Sequence, residues 1–103
     1  MASEIKVYKV HDGIAEVATI NTDLKTLQQA VGGYIETIKL RGKLTVLCDE
    51  DAFLKYKERS AIILTDKGAL TIRGDFIVCN MGSKFYSISD NDLKIIKNTV
   101  KLY

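Results

Sequence analysis

Three features of this sequence predict an α+β fold: a mainly antiparallel sheet with an early helix at about 23–32 and a C-terminal helix at about 90–101 packed on it. Extended apolar runs dominate the middle of the chain. Leu24, Leu27, Ala30 and Val31 recur at helical spacing just before Gly32-Gly33. Near the end, Ser89-x-x-Asp92 has the form of a capping box and opens a second helical pattern.

Taken in order, residues Ile5 to Val10 alternate, with Ile5, Val7 and Lys9 on one side and Lys6, Tyr8 and Val10 on the other, as a strand requires. His11-Asp12-Gly13 is a turn signal, and the extended run Ile14 to Ile20 completes a hairpin. Asn21, Thr22 and Asp23 all favour a helix N-cap. In the helix that follows, Lys25, Gln28 and Gln29 face outward, and Gly32 or Gly33 stands where a C-terminal cap needs a residue that tolerates positive φ. Phosphate-binding loops place their glycines before a helix, where free N–H groups meet the anion; here they follow it. Gly32-Gly33 therefore reads as a helix stop, and no GxGxxG or GxxxxGK[ST] pattern occurs in the chain.

Tyr34 to Leu40 and Leu44 to Asp49 are strand-like runs joined by Arg41-Gly42-Lys43. Asp49-Glu50-Asp51 reads as a solvated acidic turn, continued by an extended or loosely helical piece carrying Phe53, Leu54 and Tyr56. Ala61 to Leu64 is apolar, Thr65 to Gly68 is a turn, and Ile72-Arg73-Gly74-Asp75 precedes the apolar strand Phe76 to Cys79. In the closing helix, Leu93, Ile96 and Val100 share a face, with both helices expected on one face of the sheet.

The chain's 103 residues suit one core, so a single domain spanning 1–103 is expected. A net charge of +2 with both signs interspersed gives no basis for binding duplex nucleic acid. No apolar run reaches the roughly 18 residues a membrane span needs, and the N-terminus has no signal-peptide pattern, so the cytoplasm is the expected location. Cys48 and Cys79 have neither zinc nor redox-pair spacing and read as small buried apolar residues in strands.

No catalytic constellation stands out. His11, the sole histidine, adjoins Asp12 on a turn, but neighbours on a turn seldom point the same way and no nucleophile motif accompanies them. The acidic turn lacks EF-hand spacing, so no metal and no cofactor is expected. A basic and aromatic set remains: Tyr34, Arg41, Lys55, Tyr56, Lys57, Arg59 and Arg73. Arginine presents a planar fork that fits phosphate, and tyrosine offers a face on which a base can stack.

DLKTLQQAVGGYIETIKL, LTVLCDEDAFLK, KERSAIIL, IRGDFIVCN and FYSISDNDL together resemble the family catalogued as domain of unknown function 3846. The resemblance covers nearly the whole chain, and LQQAVGGYIE is its most specific part. It departs at Tyr56-Lys57-Glu58-Arg59-Ser60-Ala61, where the family often has prolines before an Arg-Ala step and only Arg59 and Ala61 carry over. It implies a small accessory protein of a bacteriophage or mobile element, acting in the host cytoplasm.

The expected function is therefore a non-catalytic anti-defence binder, a homo-oligomeric sponge that sequesters a host nucleotide immune signal. Arg41, Arg59 and Arg73 would hold phosphates, and Tyr34 and Tyr56 a base. The alternative is a protein-interaction module that inhibits or adapts a host or phage protein through a sheet edge or the C-terminal helix.

Overall fold

The computed structural model describes residues 3–65 and 67–103. In chain order the elements are β1 (Glu4–His11), β2 (Ile14–Asn21), α1 (Leu24–Val31), β3 (Ile35–Arg41), β4 (Leu44–Asp49), β5 (Arg59–Thr65), β6 (Gly68–Arg73), β7 (Phe76–Met81), β8 (Phe85–Tyr86), α2 (Asp90–Thr99) and β9 (Val100–Leu102). The α+β class, mainly antiparallel with an early and a C-terminal helix, is as the sequence predicts. Of the turn expected at Thr65 to Gly68, Asp66 lies outside the described residues.

The strands form two sheets. The larger runs β2-β1-β7-β4-β3, with β8 also paired to β7, and the smaller runs β6-β5-β9. All of these pairings are antiparallel. Alternation sorts the side chains of the large sheet onto its two faces. Ile5, Val7, Leu47, Ile77 and Cys79 meet Leu27 and Val31 of α1 on one face. On the other, Tyr8, Val10, Val46, Cys48, Phe76 and Val78 meet Ala61, Ile63 and Ile72 of the small sheet together with Ile96 of α2.

The two helices thus lie on opposite sides of the large sheet, not on one face as expected. Sequence periodicity marks which stripe of a helix is apolar but not which side of a sheet receives it, and strands central to two layers are apolar on both faces. Every residue of β4 is buried. The two thiols sit on opposite faces of the large sheet, and burial pushes each up to about 12, which keeps them protonated and unreactive.

Helix ends follow the caps. The Asp23 side chain accepts from Thr26 N–H, and Gly32 ends α1 at φ 78°. For α2 the capping box is complete, since Asp92 N–H donates to Ser89 Oγ while Ser89 N–H donates to Asp92 Oδ2. α2 is shorter than expected: it stops at Thr99, whose hydroxyl donates to the Ile95 carbonyl at 2.7 Å, and Val100 is already extended. Val100 still reaches the core, but from β9, which pairs with β5. A β-branched Thr-Val step at a helix end accommodates this switch. Among the described residues, no helix is long and apolar enough to cross a membrane.

Candidate binding groove

The segment 49–60 links the large sheet to the small one and carries most of the candidate residues. It begins with Asp49, which was expected in a solvated turn and is instead buried at 3% exposure. Lys55 Nζ and Lys57 Nζ lie 2.8 and 2.7 Å from Asp49 Oδ2, and the Asp51 N–H donates to Oδ1 at 2.9 Å. Burial raises the carboxyl's pKa, but the two lysine hydrogen bonds outweigh it and hold the group down at about 2.

The same lysines donate to the last carbonyls of α1, Lys57 to Val31 O at 3.1 Å and Lys55 to Gly32 O at 3.2 Å. α1 has no basic residue in its own last turn, so this pair, distant in sequence, meets the negative end of its dipole. Lys55 and Lys57 are therefore engaged within the protein and leave the set of ligand candidates. Gly33 borders the cluster: a Cβ there would stand 2.5 Å from Asp49 Oδ1.

From this anchor the chain makes a tight turn. Tyr56 N–H bonds Phe53 O at 3.1 Å, and Lys57 N–H bonds Ala52 O at 3.1 Å. That is the paired 5→2 and 6→1 closure of a Schellman motif, with Tyr56 in the left-handed position at φ 57° where glycine is usual. A bulky side chain in that conformation costs about 1–3 kcal/mol. No packing gain offsets the cost, because Tyr56 is 92% exposed.

Beyond the turn, β5 and β6 clamp the chain: Gly74 N–H donates to Glu58 O at 2.9 Å, Ser60 Oγ to Gly74 O at 2.6 Å, and Arg73 Nη1 to Lys57 O at 3.1 Å. Arg73 also lies 5.3 Å over the Phe53 ring, and Arg59 5.2 Å over the Tyr103 ring. Tyr56, Arg59, Arg73 and Tyr103 line an open groove of about 390 Å³. Across Arg59 and Tyr103 it adjoins a second hollow of about 440 Å³ whose far wall is Asp12, Gly13 and Asp75. Both volumes fall in the small-ligand range. Arg59 makes no ion pair among the described residues.

At that far wall His11 Nδ1 lies 2.5 Å from Asp75 Oδ2, and Asp12 N–H donates to Asp75 Oδ1 at 3.0 Å. The Asp75 hydrogen bond, then the charges of Asp75 and Asp12, raise the His11 pKa. The sequence pairs His11 only with its neighbour Asp12. Contrary to the expectation for neighbours on a turn, Asp12 Oδ2 does lie 3.4 Å from His11 Nε2; the closer partner, Asp75, is 64 positions away and arrives because Val10 pairs with Phe76.

Of the five residues singled out in sequence, the fold brings Tyr56, Arg59 and Arg73 to one groove. Arg41 lies apart, in a hollow lined by Ile38, Leu40, Thr65 and Leu70. Tyr34 points outward beside the end of α1 and lines neither. Tyr103 was missed; the alternation of Val100-Lys101-Leu102 after the helix is the signal that places it next to β5, where its N–H meets Ser60 O at 3.1 Å.

Fold and site together define a small two-sheet α+β protein with an arginine- and tyrosine-lined surface groove. The chain matches the family described as Domain of unknown function (DUF3846) over residues 5–101 and belongs to it. No curated protein and no solved structure matches the chain.

Proposed function

We propose that this protein is a non-catalytic binder that holds a nucleotide in the groove formed by Tyr56, Arg59, Arg73 and Tyr103. The observation that carries the reading is Tyr56: a tyrosine in a left-handed backbone position, 92% exposed, next to Arg59, which makes no ion pair among the described residues. Conformational cost without a packing return is characteristic of residues kept for what they contact. The ring offers a stacking face for a base, and the two guanidinium groups offer forks for phosphate. In the adjoining hollow, Asp12 and Glu58 suit the exocyclic amine or sugar hydroxyls of the same ligand.

In its fuller form the reading is an anti-defence sponge. A phage-encoded copy in the host cytoplasm would bind a nucleotide immune signal and lower its free concentration by mass action below what an effector needs. The test is thermal-shift and calorimetric binding with a panel of cyclic and linear nucleotides, followed by recovery of the ligand. Saturable binding that Arg59→Ala abolishes, with the ligand recovered intact, is the expected result. Indifference to the whole panel, or conversion of the ligand, contradicts it.

One observation favours a second reading, a protein-interaction module. Phe53 and Leu54 are each 73% exposed on the same turn as Tyr56, an apolar tip suited to a partner's pocket. On that reading Phe53→Ala and Leu54→Ala abolish capture of the partner, and nucleotides have no effect.

A further inference from the structure

We propose that β2 is a dimerisation edge, pairing antiparallel with β2 of a second copy about a two-fold axis at Val17 to continue the large sheet across both subunits. Exposed sheet edges present unpaired N–H and C=O groups, and proteins normally blunt them with charges, bulges, prolines or short length. The opposite edge, β3, follows that rule: it carries Glu36, Lys39 and Arg41 and shifts register between Lys39 and Arg41. In the small sheet β9 is only three residues long. β2 does not follow it. The strand runs eight residues, IAEVATIN, in unbroken register with β1, has one charge, and exposes Ile14 by 70% and Val17 by 42%.

The hairpin fixes which groups face out. Asp12-Gly13 is a two-residue loop with φ 51° and 78°, so the flanking pair His11 and Ile14 is hydrogen-bonded, and the bonded pairs then recur at every second position. Even-numbered residues of β2 thus bond β1, a pattern that continues past the strand, where Thr22 N–H donates to Ser3 O at 2.9 Å. Ala15, Val17 and Thr19 turn their N–H and C=O groups away from the sheet.

A two-fold at Val17 uses those groups. It sets Val17 against its own mate and Ala15 against Thr19 of the second copy, for about six main-chain hydrogen bonds. The side chains match in the same register. On the α1 face the exposed Ile14 meets Ile20 of the second copy, and Glu16 meets Ala18 and not another carboxylate. Glu16 is already opposite Lys9 within its own chain. Moving the axis to Ala18 leaves Ile14 without a partner and puts Glu16 against Ile20. Self-complementarity of this kind, in which the same patch serves both subunits, is what a two-fold interface requires and what an unrelated partner does not.

This inference does not rest on nucleotide binding, and the two can fail separately. The test is light scattering coupled to size exclusion, with native mass spectrometry, over a concentration series. Wild type is expected to dimerise with rising concentration. Thr19→Pro removes only an outward-facing N–H, a position at which an edge strand tolerates proline, and is expected to be monomeric with an unchanged circular dichroism spectrum. If Thr19→Pro does not fold, Val17→Lys, which sets two charges together on the axis, is expected to give a folded monomer. Val17→Cys is expected to crosslink with itself on oxidation while Ile14→Cys does not. A wild-type protein monomeric throughout, or a dimer that survives both Thr19→Pro and Val17→Lys, overturns the proposal.

Discussion

Gly33 and Asp49 are in direct contact: a methyl group at position 33 would stand 2.5 Å from Asp49 Oδ1, closer than any Cβ contact allows. The second glycine of the pair thus keeps open the space in which a buried carboxylate, two lysines and the end of α1 meet. Gly32 stops the helix, and Gly33 admits the cluster that fixes the following loop. Because Asp49 is held by both lysines, it cannot move aside for a larger residue. Gly33→Ala is expected to destabilise the protein by about 2 kcal/mol, the scale of an overpacked core. Gly82→Ala, where the nearest atom is an ordinary 3.5 Å away, is expected to change stability by less than about 0.5 kcal/mol. Urea denaturation of the two variants checks both values.

The cluster also sets a pH dependence. Asp49 is held at about 2 in the folded protein against 3.8 for the free side chain, so folding favours its ionised form. The resulting stabilisation, about 2 kcal/mol, is fully present above pH 4 or so and is lost as the pH falls through 2. The difference in unfolding free energy between wild type and Asp49→Asn, measured from pH 5 downward, is expected to shrink over that window. A difference that stays flat with pH contradicts the assignment.

His11 has the opposite sign. Its pKa is raised above 6.5 by Asp75 and then Asp12, with Lys9 acting weakly against them. Its contribution is present below pH 6.5 and disappears as the pH rises through the folded value. In an NMR titration the His11 ring is expected to titrate above 6.5 in wild type and to fall towards it in Asp75→Asn.

Tyr56 offers a trade between stability and binding. Tyr56→Gly relieves the left-handed strain and is expected to stabilise the protein by about 1 kcal/mol while weakening the ligand about tenfold or more. Tyr56→Phe keeps the stacking face and is expected to retain binding. A Tyr56→Gly variant that binds as well as wild type removes the residue from the site.

Much of the fold was legible because its signals are local. The Asp23 and Gly32 caps, the Ser89 capping box and the Asp12-Gly13 turn each announce themselves within a few residues. What the sequence concealed is long-range. Asp49 looks like part of an acidic turn because nothing nearby says that Lys55 and Lys57 fold back over it and onto α1. Division of the strands into two sheets, with α1 and α2 on opposite sides of the larger, depends on pairings such as Val10 with Phe76 and Ile63 with Val100. Within the site, Tyr56 and Arg59 are close in sequence, so their neighbourhood is readable; Arg73 and Tyr103 join them only through β6 and β9. Arg41 and Tyr34 have the right chemistry but lie on other parts of the surface.

The most direct measurement of the central claim is a residue-resolved NMR titration of the protein with cyclic and linear mono- and dinucleotides. Saturable shifts gathered at Tyr56–Ser60, Arg73 and Tyr103 and reaching Asp12 across the adjoining hollow, absent in Arg59→Ala, are the predicted result. Absence of any shift with every nucleotide, or shifts gathered around Arg41 with the Tyr56 turn unmoved, would contradict it.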